Sequence, residues 1–179
     1  MKKIAAALPL VLAFAFFGCA GPEQPTAMES NVIKTDDELS NTIQMLFDKY
    51  VANDFNITEY YAEDLSCAFN NMAFTGRDMM MAGFKMHHDA LYTNISVEDM
   101  QIQTEYWSDG STWSRAWFTW KGQGQTTGTD YSNRGHFDYK WENGQIVEMW
   151  GFWSEDVQNT ESAALEAATA AAAEMAEEA

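Results

Sequence analysis

The chain has 179 residues, with only three histidines and two cysteines against 27 carboxylates, so any acid-base chemistry rests on few groups. Histidine is the side chain that ordinarily titrates near neutral pH. His87-His88-Asp89 puts three ligand types side by side, but adjacent helical residues diverge by about 100° and no further ligand follows at helical spacing. These histidines read as solvated or partly packed side chains. His136 and Asp138 stand two apart on a strand and can share a hydrogen bond as a proton-handling pair. Because they alternate with Phe137 and Tyr139, they are expected on the outer, solvent-facing side. Tyr139, Asp64, His136 and Glu148 are the remaining acid-base candidates. Arg115, between Trp113 and Trp117, suits stacking or pairing with a carboxylate. No glycine-rich phosphate loop, Ser/His/Asp constellation or paired metal motif occurs, and no cofactor is implied.

The elements that must position these groups centre on residues 131–156. Phe137, Tyr139 and Trp141 alternate with polar neighbours, Asn143-Gly144 supplies a two-residue hairpin turn, and Val147, Met149, Gly151 and Trp153 fall on one face of the return strand. Upstream, Thr35 and Glu38 have capping-box spacing before Leu39, Ile43, Leu46, Phe47 and Tyr50, which predicts a helix over about 36–53. A short helical piece over 57–61, a strand over 65–74 and a helix over 77–91 follow. A long strand from Ile95 to Tyr106 then pairs through Asp109-Gly110 with Ser111 to Lys121. The seven tryptophans lie between residues 107 and 153. Cys67, in a predicted strand, reads as a small buried hydrophobe. Thr160 to Ala179 is nearly all Ala and Glu and is expected to be a solvated, partly helical tail.

The formal net charge of -17 opposes binding to a phosphate backbone, so nucleic acid is excluded as a partner. Met1-Lys2-Lys3 and the apolar run Ile4 to Phe17 have the form of an export signal, too short to span a bilayer comfortably. Phe16-Phe17-Gly18-Cys19 resembles a bacterial lipobox. That resemblance implies a signal peptide over 1–18, lipidation of Cys19, a tether over 19–35, and a membrane partner reached through the lipid. By analogy, Ala20 after the cysteine implies the outer membrane.

The order helix, short helix, strand, helix and antiparallel strands over 36–156 resembles the nuclear transport factor 2-like superfamily. The pieces that carry the resemblance are Tyr60-Tyr61-Ala62-Glu63-Asp64, Phe74-Thr75-Gly76-Arg77-Asp78 and the stretch Glu142 to Trp150, the last similar to SnoaL-like polyketide cyclases and relatives of ketosteroid isomerase. The resemblance implies an α+β fold, a cone-shaped curved antiparallel sheet packed on three N-terminal helices, with a pocket inside. The isomerase's tyrosine, base and second acid would fall near Leu46, Phe69 or Asn70, and Phe137. The cyclase's histidine and aspartate would fall at Met149 and Gly151. None of these residues suits its role. The expected pocket is therefore apolar, lined by Leu46, Phe69, Phe137, Tyr139, Met149 and Trp153, and fits a small hydrophobic or aromatic ligand. Two alternatives are an enzyme with a non-standard acid/base group and a docking module that forms a homodimer through the outer sheet face, where Trp150 and Phe152 lie.

Overall fold

The computed structural model describes residues 31–178, so the signal peptide, Cys19 and most of the expected tether lie outside the described residues. The chain runs β1 (Asn31–Lys34), α1 (Glu38–Val51), a short 3-10 turn (Thr58–Tyr60), β2 (Tyr61–Phe69), β3 (Met72–Thr75) and α2 (Arg77–Met86). A wider π-type turn (His87–Leu91) leads to β4 (Tyr92–Trp107), β5 (Thr112–Gly124), β6 (Asp130–Glu142), β7 (Gln145–Trp153) and α3 (Asp156–Glu177). The expected α+β architecture is the one observed: seven strands form one curved, open sheet in the order β1-β4-β5-β6-β7-β2-β3. The sheet is mixed, because β2 and β7 pair in parallel while the other pairs are antiparallel. Hairpin signals identify only sequential neighbours, so the parallel pairing has no local mark.

Curvature has local causes. Asn94 and Asp99 take positive φ values of 54° and 52°, at the two register shifts in the β4–β5 ladder, between Thr93 and Ser96 and between Glu98 and Gln101. Extra residues of this kind bend a strand and increase its twist. A further shift follows Lys140 on β6, and there the expected alternation on β7 fails. Ile146, which strict alternation would place on the face opposite Val147 and Met149, is fully buried and stands opposite Trp141, because the irregularity at Val147 returns it to the core face.

Helix α1 closes the concave side of the sheet. Its cap is Asp37, which accepts from the Ser40 backbone N–H at 2.8 Å, in place of the expected Thr35. Ile43, Leu46 and Phe47 are buried against the sheet. A hydrogen-bond chain fixes this docking: Trp141 Nε1–H donates to Ser114 Oγ at 2.8 Å, Ser114 meets Thr104 at 2.7 Å, and Thr104 meets Ser40 at 2.8 Å. At the far end Ser40 Oγ donates its one proton to the Lys34 carbonyl at 3.4 Å, which sets the direction of the chain from β6 to α1. Such buried polar chains hold a unique arrangement when every member is satisfied.

The predicted strand 65–74 is instead the hairpin β2–β3, turning at Asn70 with φ 49°, where asparagine rather than glycine supplies the left-handed conformation. The expected tether over 19–35 ends earlier than read, since Asn31–Lys34 pairs with β4 as an edge strand. The tail expected to be solvated is helix α3. Its first turns dock through Glu161, which has no exposed surface, and residues 166–178 are exposed. Cys67 is buried and unpaired as expected, and burial pushes its thiol up to about 12.

Candidate functional site

Between α1, the π-type turn and the inner faces of β5, β6 and β7 lies a cavity of about 100 Å³, with a mouth formed by Asn133, Arg134, Ser154, Val157 and Gln158. Phe137 is the hub of its wall. Its ring centroid lies 5.4 Å from Phe118, 5.7 Å from Trp153, 6.0 Å from Phe69 and 6.2 Å from both Phe47 and Phe84. Room for this ring comes from Gly151 directly across on β7. A Cβ there would stand 2.3 Å from Phe137 Cε1 and 2.6 Å from Trp153 Cζ3, closer than carbon atoms approach. The position aligned with the cyclase aspartate is therefore a space-making glycine.

Of the sequence-predicted lining residues, Leu46, Phe137, Tyr139, Met149 and Trp153 surround this cavity. Phe69 stands behind them, packed on Trp153 at 5.4 Å and on Phe74 at 5.5 Å. The acid-base candidates separate. Tyr139 lines the cavity, Asp64 is exposed on β2, and Glu148 pairs with Lys140 at 2.7 Å. His136 Nε2 lies 3.0 Å from Asp138 Oδ1 and its ring stacks on Trp117 at 4.7 Å, so the pair belongs to the outer sheet face. There Arg115 lies 3.4 Å from Glu105 and 3.5 Å from Asp138.

Four polar residues of the cavity wall were absent from the sequence-based lining: Tyr50, Tyr61, His87 and Tyr92. Tyr50 ends the apolar stripe of α1, and its hydroxyl accepts from Trp120 Nε1–H at 3.0 Å and meets His87 Nδ1 at 2.9 Å. The indole can only donate, and the phenol oxygen keeps a second lone pair as well as its proton, so its bond to Nδ1 forms with either neutral tautomer of the imidazole. Burial, assisted by His88, pulls the His87 pKa down to about 4, so the ring is neutral near pH 7. The reading of His87 as solvated or partly packed gives way to a hydrogen-bonded member of the cavity wall, placed there by the wide turn after α2. The signal that could have found it is the aromatic stripe ending in Tyr50, whose hydroxyl needs a buried partner.

Tyr61, Tyr92 and Tyr139 line the same cavity, and burial holds all three above the ordinary phenol range. No carboxylate is among the residues lining the cavity. The chemical repertoire inside is thus hydrogen bonding from neutral groups against a large apolar wall, and among the described residues no cluster of His, Cys, Asp and Glu could hold a metal ion.

Solved structures with the same arrangement of elements are numerous. A candidate polyketide cyclase from Xanthomonas campestris superposes with a TM-score of 0.57 at 16% identity, covering 70% of this chain and 95% of that one. The chain has the nuclear transport factor 2-like fold. Another candidate polyketide cyclase, from Pseudomonas putida, gives 0.55 at 16% identity over 63% of this chain and 88% of the other. A candidate scytalone dehydratase from Novosphingobium aromaticivorans gives 0.54 at 13% identity over 65% and 81%. At these identities the nuclear transport factor 2-like likeness is one of fold. No family model matches the sequence, and no curated protein matches it.

Proposed function

We propose that this is a lipid-anchored protein of a bacterial envelope, at the outer membrane, whose domain holds a small hydrophobic or aromatic ligand without transforming it. The wall of the cavity carries the ligand reading: aromatic and aliphatic side chains enclose a space that no carboxylate lines. Apolar ligand surface removed from water there contributes about 25 cal/mol per Å². Acid-base catalysis works best with a pKa near the operating pH. Burial instead drives the cavity tyrosines up and His87 down to about 4, which favours holding over proton transfer. The anchor rests on Cys19 and the apolar run before it. Among the described residues no helix is long and apolar enough to cross a membrane.

Native mass spectrometry of the protein purified from the organism that makes it tests the ligand reading. A co-purifying small molecule that is lost in Trp153→Ala supports it; a ligand-free chain that also takes up no aromatic probe overturns it. An isomerase-, cyclase- or dehydratase-type reaction is the second reading, favoured by the hydrogen-bonded Tyr50 and His87 pair in the cavity. It predicts turnover that is lost in His87→Asn.

The outer sheet face supports pairing of two copies in addition. Trp150 is 39% and Phe152 48% exposed, large values for aromatic side chains that neighbour each other on one strand. Light scattering of the full chain at rising concentration should show a dimer, and a Trp150→Ser, Phe152→Ser variant should be monomeric. A monomer throughout contradicts the pairing.

A further inference from the structure

The sheet has two free edges, β1 on one side and β3 on the other. Edge strands are commonly guarded by charged side chains. The middle of β1 instead carries Val32 and Ile33, which are 58% and 52% exposed. Neighbouring strand residues point to opposite faces, so these two side chains flank the edge like the sides of a wedge. Val32 stands opposite Tyr106 on β4, Ile33 opposite Glu105, and Asn31 opposite the partly exposed Trp107. Lys34 ends the strand with its ammonium 5.0 Å from the centre of the Tyr106 ring. Aliphatic tips beside an indole and a lysine match a membrane–water interface, where indoles sit at headgroup depth and lysine stems cover apolar surface while the charge stays in water.

The other edge also exposes an apolar side chain, since Met72 of β3 is 58% exposed. What separates the two edges is the sequence that leads into them. Residues 20–30 join Cys19 to the first residue of β1, and even at full extension a stretch of that length reaches only about 40 Å. A lipid on Cys19 thus keeps β1 within that distance of the bilayer and turns a weak contact into an intramolecular one. The β3 edge lies six strand spacings of about 4.8 Å farther along the sheet. Depth is limited by the backbone: unpaired edge groups of β1 are tolerated among hydrated headgroups and not in hydrocarbon. Asp36, Asp37 and Glu38 follow β1 directly, and the formal net charge is -17, so anionic lipid is opposed and apolar burial supplies the attraction. The cavity mouth stays clear of this contact. Its Asn133 stands opposite Trp120, and Trp120 opposite Val97 near the start of β4, whereas β1 pairs with Thr104–Trp107 at the end of β4.

We propose that β1 is the surface on which the domain rests against its own membrane, with Val32 and Ile33 inserted among the headgroups of zwitterionic lipid and Trp107 beside them. The proposal rests on the lipid-anchor reading above. Nanodiscs of phosphatidylcholine test it, each loaded with a single mature chain purified with its anchor, which keeps a second copy from covering the edge. With a nitroxide on the fifth acyl carbon of the lipid, the methyl signals of Val32 and Ile33 are expected to lose at least about fivefold in intensity, and those of Met72 and Met79 less than about twofold. In a Val32→Ser, Ile33→Ser variant, whose unchanged Ile43 methyl signal reports an intact core, broadening of the Trp107 indole signal is expected to drop at least about threefold. Sharp Val32 and Ile33 signals on a chain whose mass includes a lipid on Cys19 overturn the docking proposal and leave the anchor reading standing. Equal broadening at Met72 or at the Trp150 indole overturns it too, because another edge or the outer face then meets the lipid. A mass without lipid on Cys19 overturns the anchor reading and this proposal with it.

Discussion

Trp120 donates its indole N–H to the hydroxyl of Tyr50 at 3.0 Å, and the same hydroxyl meets His87 Nδ1 at 2.9 Å, which ties β5, α1 and the turn after α2 into one hydrogen-bonded wall. The imidazole in this wall is buried and held neutral, and charging it in so apolar a setting is disfavoured.

The first prediction follows from that burial. The His87 pKa is about 4 in the folded protein against 6.5 ordinarily, so between these values the unfolded chain binds more protons. Stability therefore falls as pH drops from about 6.5 toward 4, and this contribution is flat outside that window. Urea unfolding should show the stability advantage of the unsubstituted protein over His87→Asn shrinking by about 3 kcal/mol across it. Parallel curves for the two proteins would contradict the buried, neutral histidine.

A second prediction concerns the glycine opposite Phe137. With a Cβ placed 2.3 Å from Phe137 Cε1, Gly151→Ala must push the rings of Phe137 and Trp153 aside. Overpacking of this kind costs about 1–3 kcal/mol. Thermal unfolding should show that loss, and cumene titration should show weaker binding. An alanine variant with unchanged stability would mean that the rings are loosely held.

The third concerns the C-terminal helix. Glu161 accepts from the backbone N–H groups of Thr126 at 2.6 Å and Thr127 at 3.1 Å, and from the hydroxyls of Thr127 at 2.8 Å and Tyr131 at 3.2 Å. Gly124 makes room for the carboxylate, since a Cβ there would stand 2.2 Å from Glu161 Oε2. Burial pushes the Glu161 carboxyl up, but these hydrogen bonds outweigh it and leave it below the usual range. Glu161→Ala should lower stability by roughly 2 kcal/mol and speed amide exchange at Thr126 and Thr127. Because Val157 and Gln158 of the same helix edge the cavity mouth, ligand release should also accelerate. Unchanged exchange at both threonines would contradict the clamp.

Much of the wall was legible because it depends on short-range patterns. Alternation around Asn143-Gly144 assigns Phe137, Tyr139, Met149 and Trp153 to one side, and a helical stripe assigns Leu46. Phe69 was placed on the correct face but one layer too far forward, since the pattern fixes a side and not a depth. Tyr61 served only as a marker of the strand start, and His87 looked solvated because a regular helix through 77–91 was assumed where the chain makes a wider turn. Glu161 carries no local signal: its partners are a loop some 30 residues away, and a lone carboxylate in an Ala/Glu run reads as a solvated face. Long-range pairing decided these three, and no periodicity encodes it.

The most direct test of a ligand-holding cavity is a crystal structure of the full chain grown with cumene. The predicted result is electron density for the probe inside the cavity, in contact with Leu46, Phe137 and Trp153. A cavity that holds only ordered water at saturating cumene would contradict it.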